Sequence, residues 1–124
     1  MNLLIVDDDQ GLALLLKMEL EDEGHIVDVA SDGFEGKELS LKNRYDVIIL
    51  DLMIPGMNGR QVCQDLRKCK NDTPVMIVSA LDSQDEKEAC MSAGASEFLA
   101  KPFLFEDFYQ EILRLAKDRR ETWI

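Results

Sequence analysis

Acidic side chains occur at two points of the sequence where short apolar runs end. Asp7 and Asp8 follow the run Leu3–Val6, and Asp51 follows the run Val47–Leu50. Carboxylates brought close together repel one another, which raises the pKa of at least one of them unless a cation neutralises the group. Mg²⁺ suits such a site because it prefers carboxylate, carbonyl and water oxygens, whereas zinc and copper favour His and Cys ligands. The residues therefore predict a magnesium site.

The carboxylate of Asp51 is also a candidate nucleophile, because a carboxylate can attack phosphorus and form an acyl phosphate. Two other polar residues, Ser79 and Lys101, follow the runs Val75–Val78 and Glu97–Ala100. A transferring phosphoryl group spreads negative charge over its equatorial oxygens, which a metal ion, an ammonium and a hydroxyl can all stabilise. Each residue has a plainer interpretation as a helix cap, turn residue or solvated charge. Together they predict a site for phosphoryl transfer.

The elements that would position these residues alternate along the chain. Short apolar or β-branched runs predict strands, and the amphipathic segments between them predict helices. Parallel strands end at one edge of a sheet, and ligands bind beyond that edge. We therefore expect an α/β domain with a doubly wound parallel sheet. Its predicted strands are Leu3–Val6, Ile26–Ala30, Val47–Leu50, Val75–Val78 and Glu97–Ala100.

The predicted helices take their buried faces from apolar residues, and turn residues mark where the helices start and stop. Gly24 and Gly94 would follow the first and fourth helices, and Asp82 or Ser83 would cap the fourth. The residues assigned to the buried faces are Leu12, Leu15, Leu16 and Leu20 in the first helix, Phe34 and Leu41 in the second, Val62 and Leu66 in the third, Ala89 and Ala93 in the fourth, and Phe108, Ile112 and Leu115 in the fifth.

Composition indicates one soluble globular domain, with 124 residues of which 46% are hydrophobic and 31% are charged. No apolar run approaches the roughly 18 residues that cross a bilayer, and no signal peptide is recognised, so we expect a cytoplasmic protein without membrane contact. The net charge of −11 opposes direct binding of nucleic acid by this domain. Cys63, Cys69 and Cys90 lack a CxxC pair and are expected to be reduced thiols.

The ordered set of motifs resembles the receiver domain of two-component response regulators. The resemblance covers residues 1–117, and residues 118–124 would be a C-terminal tail or the start of a linker to an absent output domain. It implies a flavodoxin-like fold, with a five-stranded sheet in the order 2-1-3-4-5 and five helices. The motifs are Leu4–Asp8, Ile49–Gly59, Ser79–Ala80, Gly94–Ala95 and Lys101–Phe103.

The resemblance also implies a phosphorylation reaction. Asp51 would accept a phosphoryl group from a phosphohistidine of a sensor histidine kinase or phosphotransfer protein. Asp8, Asp51 and the Met53 carbonyl would bind Mg²⁺, and Asp7 would act mainly through a metal-bound water. The chain would thus be a phosphoprotein of a phosphorelay that catalyses only its own phosphorylation and slow dephosphorylation.

The same resemblance implies how the signal is relayed. Ser79 and Lys101 would hold phosphoryl oxygens, a cis bond would precede Pro102, and Ser79 and Phe98 would pass the change to the face formed by helix 4, strand 5 and helix 5. An output domain or a second copy of the chain would bind there.

Phe98 replaces a tyrosine found in many receivers, so the switch would rest on packing alone. The plainer interpretation is that Phe98 is a half-buried strand residue. Glu111 replaces an arginine of the dimers formed by many winged-helix regulators, which argues against that dimer.

Two apolar residues, Met53 and Leu81, flank the expected path of a hydrolytic water. Neither side chain can orient water or accept its proton, so we predict a long-lived aspartyl phosphate.

Two other classes of protein were weighed against this interpretation. A Mg²⁺-dependent phosphohydrolase with an aspartyl nucleophile, similar to the haloacid dehalogenase group, needs a second Asp two residues after the nucleophile, where this chain has Met53. A flavin-binding electron carrier needs a phosphate loop rich in glycine and hydroxyl groups after the first strand, where Asp7–Asp9 would repel the phosphate of the cofactor. The hydrolase remains the alternative, and the flavin carrier is rejected.

Overall fold

A computed structural model of the protein describes residues 1–122, with side chains described through residue 119. Strands and helices alternate along the chain, as the sequence predicts. All predicted strands are present, and three of them extend by one residue at one end. The elements are β1 (Asn2–Val6), α1 (Gln10–Asp22), β2 (Ile26–Ala30), α2 (Gly33–Lys42), β3 (Val47–Asp51), α3 (Gly59–Lys68), β4 (Val75–Ser79), α4 (Gln84–Ser92), β5 (Glu97–Ala100) and α5 (Phe105–Thr122).

The strands form one parallel sheet in the order β2-β1-β3-β4-β5, with helices on both faces. One hydrophobic cluster lies between the sheet and helices α2, α3 and α4, and includes Val62, Leu66 and Cys90. The other lies between the sheet and helices α1 and α5, and includes Leu20 and Phe108. Because both faces are covered, β3 and β4 are buried along their whole length. The doubly wound fold is therefore confirmed.

Two of the predicted helix faces are confirmed as assigned. Helix α3 buries Val62 and Leu66, and helix α5 buries Phe108, Ile112 and Leu115. In both helices these residues recur at intervals of three or four, which places them on one side of the helix.

The assignment of Leu15 to the buried face of α1 was wrong. Leu15 is exposed and Leu12 is only half-buried, while Ala13 joins Leu16 and Leu20 against the sheet. The position next to Leu16 points about 100° away around the helix, so Leu15 turns to the surface. In α4 the buried face is also displaced from the predicted one. Cys90 is buried, as is Ala93 directly after the helix, whereas Ala89 is only half-buried.

The assignment of Phe34 and Leu41 to the buried face of α2 was also wrong. Both side chains are exposed, and the buried positions are Gly33, Gly36 and Ser40. The reason is a close approach of the helix to the sheet: a Cβ atom on Gly36 would lie only 2.8 Å from a methyl carbon of Val6. Only small residues fit this contact, so Phe34 and Leu41 face outward, while Leu39 packs half-buried against the cluster beside it.

Side-chain caps fix the points where the helices begin. Asp9, Asp32, Asn58 and Ser83 each accept a hydrogen bond from a backbone N–H in the first turn of α1 to α4. The prediction that Asp82 or Ser83 caps α4 is thus confirmed for Ser83. Gly24 and Gly94, which follow α1 and α4, both have positive φ angles as expected of helix ends.

The C-terminal helix runs past the predicted domain boundary. Helix α5 continues through residue 117 to Thr122, and residues 123 and 124 of the predicted tail lie outside the described residues. Arg114 on α5 pairs with Glu97 on β5 at 2.7 Å, which ties this helix to the edge of the sheet. No helix within residues 1–122 combines the length and apolar character that crossing a lipid bilayer requires.

Candidate functional site

The carboxyl ends of neighbouring strands bring polar side chains to one edge of the sheet. In the parallel register Val6 of β1 pairs with Leu50 of β3, so Asp7 and Asp51 follow at the same level. Farther along the same edge Ser79 pairs with Ala100, and the Lys101 N–H donates to the carbonyl of Ser79 at 2.9 Å. The predicted site residues that the structure brings together here are Asp7, Asp8, Asp51, Ser79 and Lys101.

Three carboxylates form the centre of this group. Asp7, Asp8 and Asp51 each offer an oxygen, and the three oxygens lie within 4.8 Å of one another. Asp7 and Asp51 are only 2% and 6% exposed, whereas Asp8 is exposed to solvent. A set of hard oxygen donors that is open on one side fits a Mg²⁺ ion, which keeps several water ligands when it binds to protein. These residues could therefore hold a metal ion.

The ammonium of Lys101 bridges the two buried carboxylates. Its Nζ lies 2.9 Å from Asp7 Oδ2 and 2.9 Å from Asp51 Oδ2. Burial raises the pKa of the Asp51 carboxyl, although hydrogen bonds from Lys101 and from the Met53 N–H oppose that rise. Burial acts to lower the pKa of Lys101, but the hydrogen bonds and charges of Asp51 and Asp7 outweigh it and raise that pKa. The lysine is therefore held in its charged form.

Backbone N–H groups fix the remaining oxygens of the two buried acids. The Met53 N–H donates to Asp51 Oδ1 at 3.0 Å, and the Asp9 N–H donates to Asp7 Oδ1 at 2.9 Å. The Asp9 side chain caps α1 by accepting from the Leu12 N–H at 3.1 Å. Because each buried carboxylate has both of its oxygens held, the acids are oriented before any ligand binds.

The other predicted residues lie at or just after the ends of β3, β4 and β5. The Ser79 hydroxyl is buried and accepts a hydrogen bond from the Leu81 N–H at 3.0 Å; among the described side chains, none of its hydrogen bonds reaches Asp51. Met53 and Leu81 are 62% and 45% exposed. The peptide bond between Lys101 and Pro102 is cis, as the sequence resemblance implied.

Two further residues, to which the sequence assigned no role, lie against Asp51 and Phe98. A Cβ atom on Gly59 would lie 2.5 Å from the backbone oxygen of Asp51, so only glycine allows α3 to start so close to this strand end. The signal in the sequence was its position directly after the N-cap residue Asn58. The second residue is Lys87 on α4, whose Nζ lies 6.0 Å from the ring centroid of Phe98. No local pattern in the sequence pointed to that contact.

Comparisons with known proteins agree with this geometry. The family model described as response regulator receiver domain matches residues 3–113. The response regulator ArlR of Staphylococcus saprophyticus is 40% identical over 115 residues, which cover 93% of this chain and 52% of that protein. The chain thus spans about half the length of the curated relatives it matches.

Solved receiver domains have the same fold. The Francisella response regulator 1452 receiver domain superposes with a TM-score of 0.91 at 36% identity, covering 95% of this chain and 98% of that one. The receiver domain of the sensor histidine kinase PA1611 from Pseudomonas aeruginosa superposes with a TM-score of 0.86 at 25% identity, covering 94% and 97%; that structure has a magnesium ion coordinated in the active site cleft. From the family match, which spans most of its length, we conclude that this chain belongs to the receiver domains of two-component response regulators, a family of phosphorylation-activated signalling switches.

Proposed function

We propose that Asp51 accepts a phosphoryl group from a phosphohistidine of a sensor histidine kinase or phosphotransfer protein, in a reaction that requires Mg²⁺. The observation that carries this proposal is the Lys101 ammonium, 2.9 Å from both Asp51 and Asp7, beside an acidic cluster that could hold a metal. A nucleophilic carboxylate, a fixed cation and a set of metal ligands thus meet at one edge. An Asp51 oxygen forms the new bond to phosphorus, the P–N bond of the donor breaks, and the leaving nitrogen keeps the electron pair and takes a proton.

In this proposal Asp8, Asp51 and the Met53 carbonyl would hold Mg²⁺ directly, and Asp7 would do so through a water molecule. When bound, the ion would neutralise charge on the phosphoryl oxygens. The exposure of Asp8 beside the buried Asp7 and Asp51 supports this arrangement, because the open side leaves room for water and for the incoming group. Lys101 would exchange its hydrogen bond to Asp51 Oδ2 for one to a phosphoryl oxygen.

The relay would start at Ser79. Its hydroxyl would leave the Leu81 N–H and donate a hydrogen bond to a phosphoryl oxygen, carrying the chain after β4 toward the site. Phe98 lies one strand away, half-buried against the cluster that underlies α3 and α4, and would shift into the space released. The face formed by α4, β5 and α5 would then change shape for an output domain or a second copy of the chain.

The chain is a signalling switch rather than an enzyme acting on a separate substrate, and the hydrolase alternative is not favoured. The position two residues after Asp51 carries the thioether of Met53, which cannot serve as a general acid or base.

Mass spectrometry of the intact protein tests the proposal directly. With Mg²⁺ and excess phosphoramidate, a small donor with a P–N bond, the chain should gain a single phosphoryl group, and Asp51→Asn should gain none. Asp22→Asn, which removes an exposed carboxylate at the end of α1, is the matched control and should react like the native chain. Modification of Asp51→Asn at the native rate, or rapid multiple turnover of the donor without accumulation of the phosphorylated chain, would contradict the proposal.

Magnesium should stabilise the folded protein through the same carboxylates. A ligand that binds only the folded state adds about 2.7 kcal/mol when its concentration is 100 times Kd, which raises the Tm by roughly 8 to 15 °C for a chain of this size. Asp8→Asn should lose most of that gain, because it removes the exposed ligand and leaves the pairing of Lys101 intact. Thermal unfolding with Mg²⁺ and with EDTA measures the difference. An equal gain in Asp8→Asn and Asp22→Asn would show that the ion binds elsewhere.

A further inference from the structure

A lysine of α4 lies over the aromatic ring of β5. Lys87 Nζ is 6.0 Å from the centroid of the Phe98 ring, at the outer limit of a cation–π contact. Both residues are half-buried, and Phe98 packs on the hydrophobic cluster formed by residues such as Cys90 and Ala95. The ring therefore has the apolar core on one side and the ammonium on another.

The acidic neighbours of Lys87 along α4 lie one or two positions away, so their side chains leave the helix in other directions. Asp85, Glu86 and Glu88 are its neighbours on α4. Lys87 forms no ion pair within 4.0 Å among the side chains described for residues 1–119, and its ammonium contacts the ring of Phe98. The ring of Phe98 therefore contacts this ammonium without competition from a salt bridge among those side chains.

We propose that Lys87 is a positioning residue that holds the Phe98 ring in the placement it has in the unphosphorylated protein. Lys87 thereby sets the ratio between the two placements of this ring. This inference rests on the proposed function, in which Phe98 moves when Ser79 turns to the phosphoryl group. Phenylalanine has no hydroxyl with which to hold either placement. The electrostatic attraction between the ammonium and the ring face supplies that hold.

The expected effect follows from the strength of the contact. A cation–π contact at a partly exposed site changes an equilibrium by about two- to five-fold, which corresponds to roughly 0.5–1 kcal/mol. If the contact is made in only one placement, its loss changes the ratio of the two placements by that factor. A ligand that binds the other placement then binds more tightly by up to the same factor.

Substitutions at Lys87 and fluorination of Phe98 separate this charge effect from packing. Lys87→Met keeps the aliphatic chain but removes the charge, Lys87→Arg keeps a cation, and Lys42→Met on α2 is the control for net charge. Mono-, di- and trifluorinated phenylalanine at position 98 weaken the ring quadrupole in steps with little change in size. Fluorine NMR of the unmodified protein then reports the population of the second ring placement, and titration with beryllofluoride reports affinity for a phosphoryl mimic.

With one fluorine as the probe, we expect Lys87→Met to raise the population of the second placement, and the affinity for beryllofluoride, by two- to five-fold. Lys87→Arg and Lys42→Met should resemble the native chain. Successive fluorination should raise the population stepwise in the native background and leave it unchanged in Lys87→Met. A population that does not respond to Lys87→Met or to fluorination would overturn the inference. Because that population is measured without phosphorylation, failure of the native chain to bind beryllofluoride counts separately, against the proposed function.

Discussion

Replacement of Lys101 with Met should slow the phosphorylation of Asp51 by phosphoramidate about 10²- to 10³-fold, the usual loss when one group that stabilises the transition state is removed. The Lys101 ammonium lies 2.9 Å from both Asp7 and Asp51 and is held in its charged form. Without it, an anionic phosphoryl donor approaches buried carboxylates with only the metal to offset the repulsion. The measurement is the time course of phosphoryl incorporation at saturating Mg²⁺, followed by intact mass.

The same substitution also affects stability, so the two effects need separate measurements. Removing one partner of a buried ion pair costs about 3–5 kcal/mol, because the remaining charges lose their compensation. The double variant Lys101→Met/Asp7→Asn relieves much of that cost, and circular dichroism gives the folded fraction. Because Asp7 also belongs to the proposed metal site, Asp7→Asn alone is the reference: if the folded double variant is much slower than Asp7→Asn, Lys101 acts on the phosphoryl group itself. Lys37→Met, which breaks the more exposed pair with Asp65, is the control. A loss smaller than about ten-fold for folded Lys101→Met would contradict the assigned role.

The alternation of strands and helices could be predicted because buried parallel strands are short and apolar throughout. Which face of a helix is buried was harder to predict. Periodicity assigns the largest apolar side chains to the core, but the face of α2 at Gly36 approaches the sheet too closely for Phe34 or Leu41, and Gly36 contacts Val6 there. Phe34 and Leu41 were therefore placed on the wrong face. The distance between a helix and a sheet depends on all of their contacts together, so it cannot be predicted from any single segment of the sequence.

The candidate site could be predicted because its residues lie directly after strands, and the ends of parallel strands meet at one edge. Asp51 and Lys101 could thus be placed together although they are 50 residues apart. The contact of Lys87 with Phe98 could not be predicted, because the position of the ammonium at the end of a long side chain depends on how α4 is rotated over β5. The role of Asp9 as the cap of α1 was not predicted either.

Polar residues beside the site should shorten the life of the aspartyl phosphate. Hydrolysis requires a water oxygen to bond to phosphorus, the bond between phosphorus and the Asp51 oxygen to break, and the water to lose its proton. In this chain the flanking side chains are those of Met53 and Leu81, which are 62% and 45% exposed and have no group that accepts a proton. The double variant Met53→Asn/Leu81→Glu should therefore lose phosphate about 10²-fold faster, at the low end of the range for general acid–base catalysis.

The rate is measured by removing the small donor and following the release of inorganic phosphate with Mg²⁺ present. Met53→Leu/Leu81→Met is the matched control, because it changes shape at both positions but adds no proton acceptor. A carboxylate at position 81 acts as a base only when ionised, so acceleration in the double variant should disappear as the pH falls below the pKa of that carboxyl. If both pairs lose phosphate at the native rate, attacking water does not pass these side chains, and the long lifetime must come from elsewhere in the site. If both pairs accelerate equally, native packing at these positions excludes water, and the chemistry of the side chains is irrelevant.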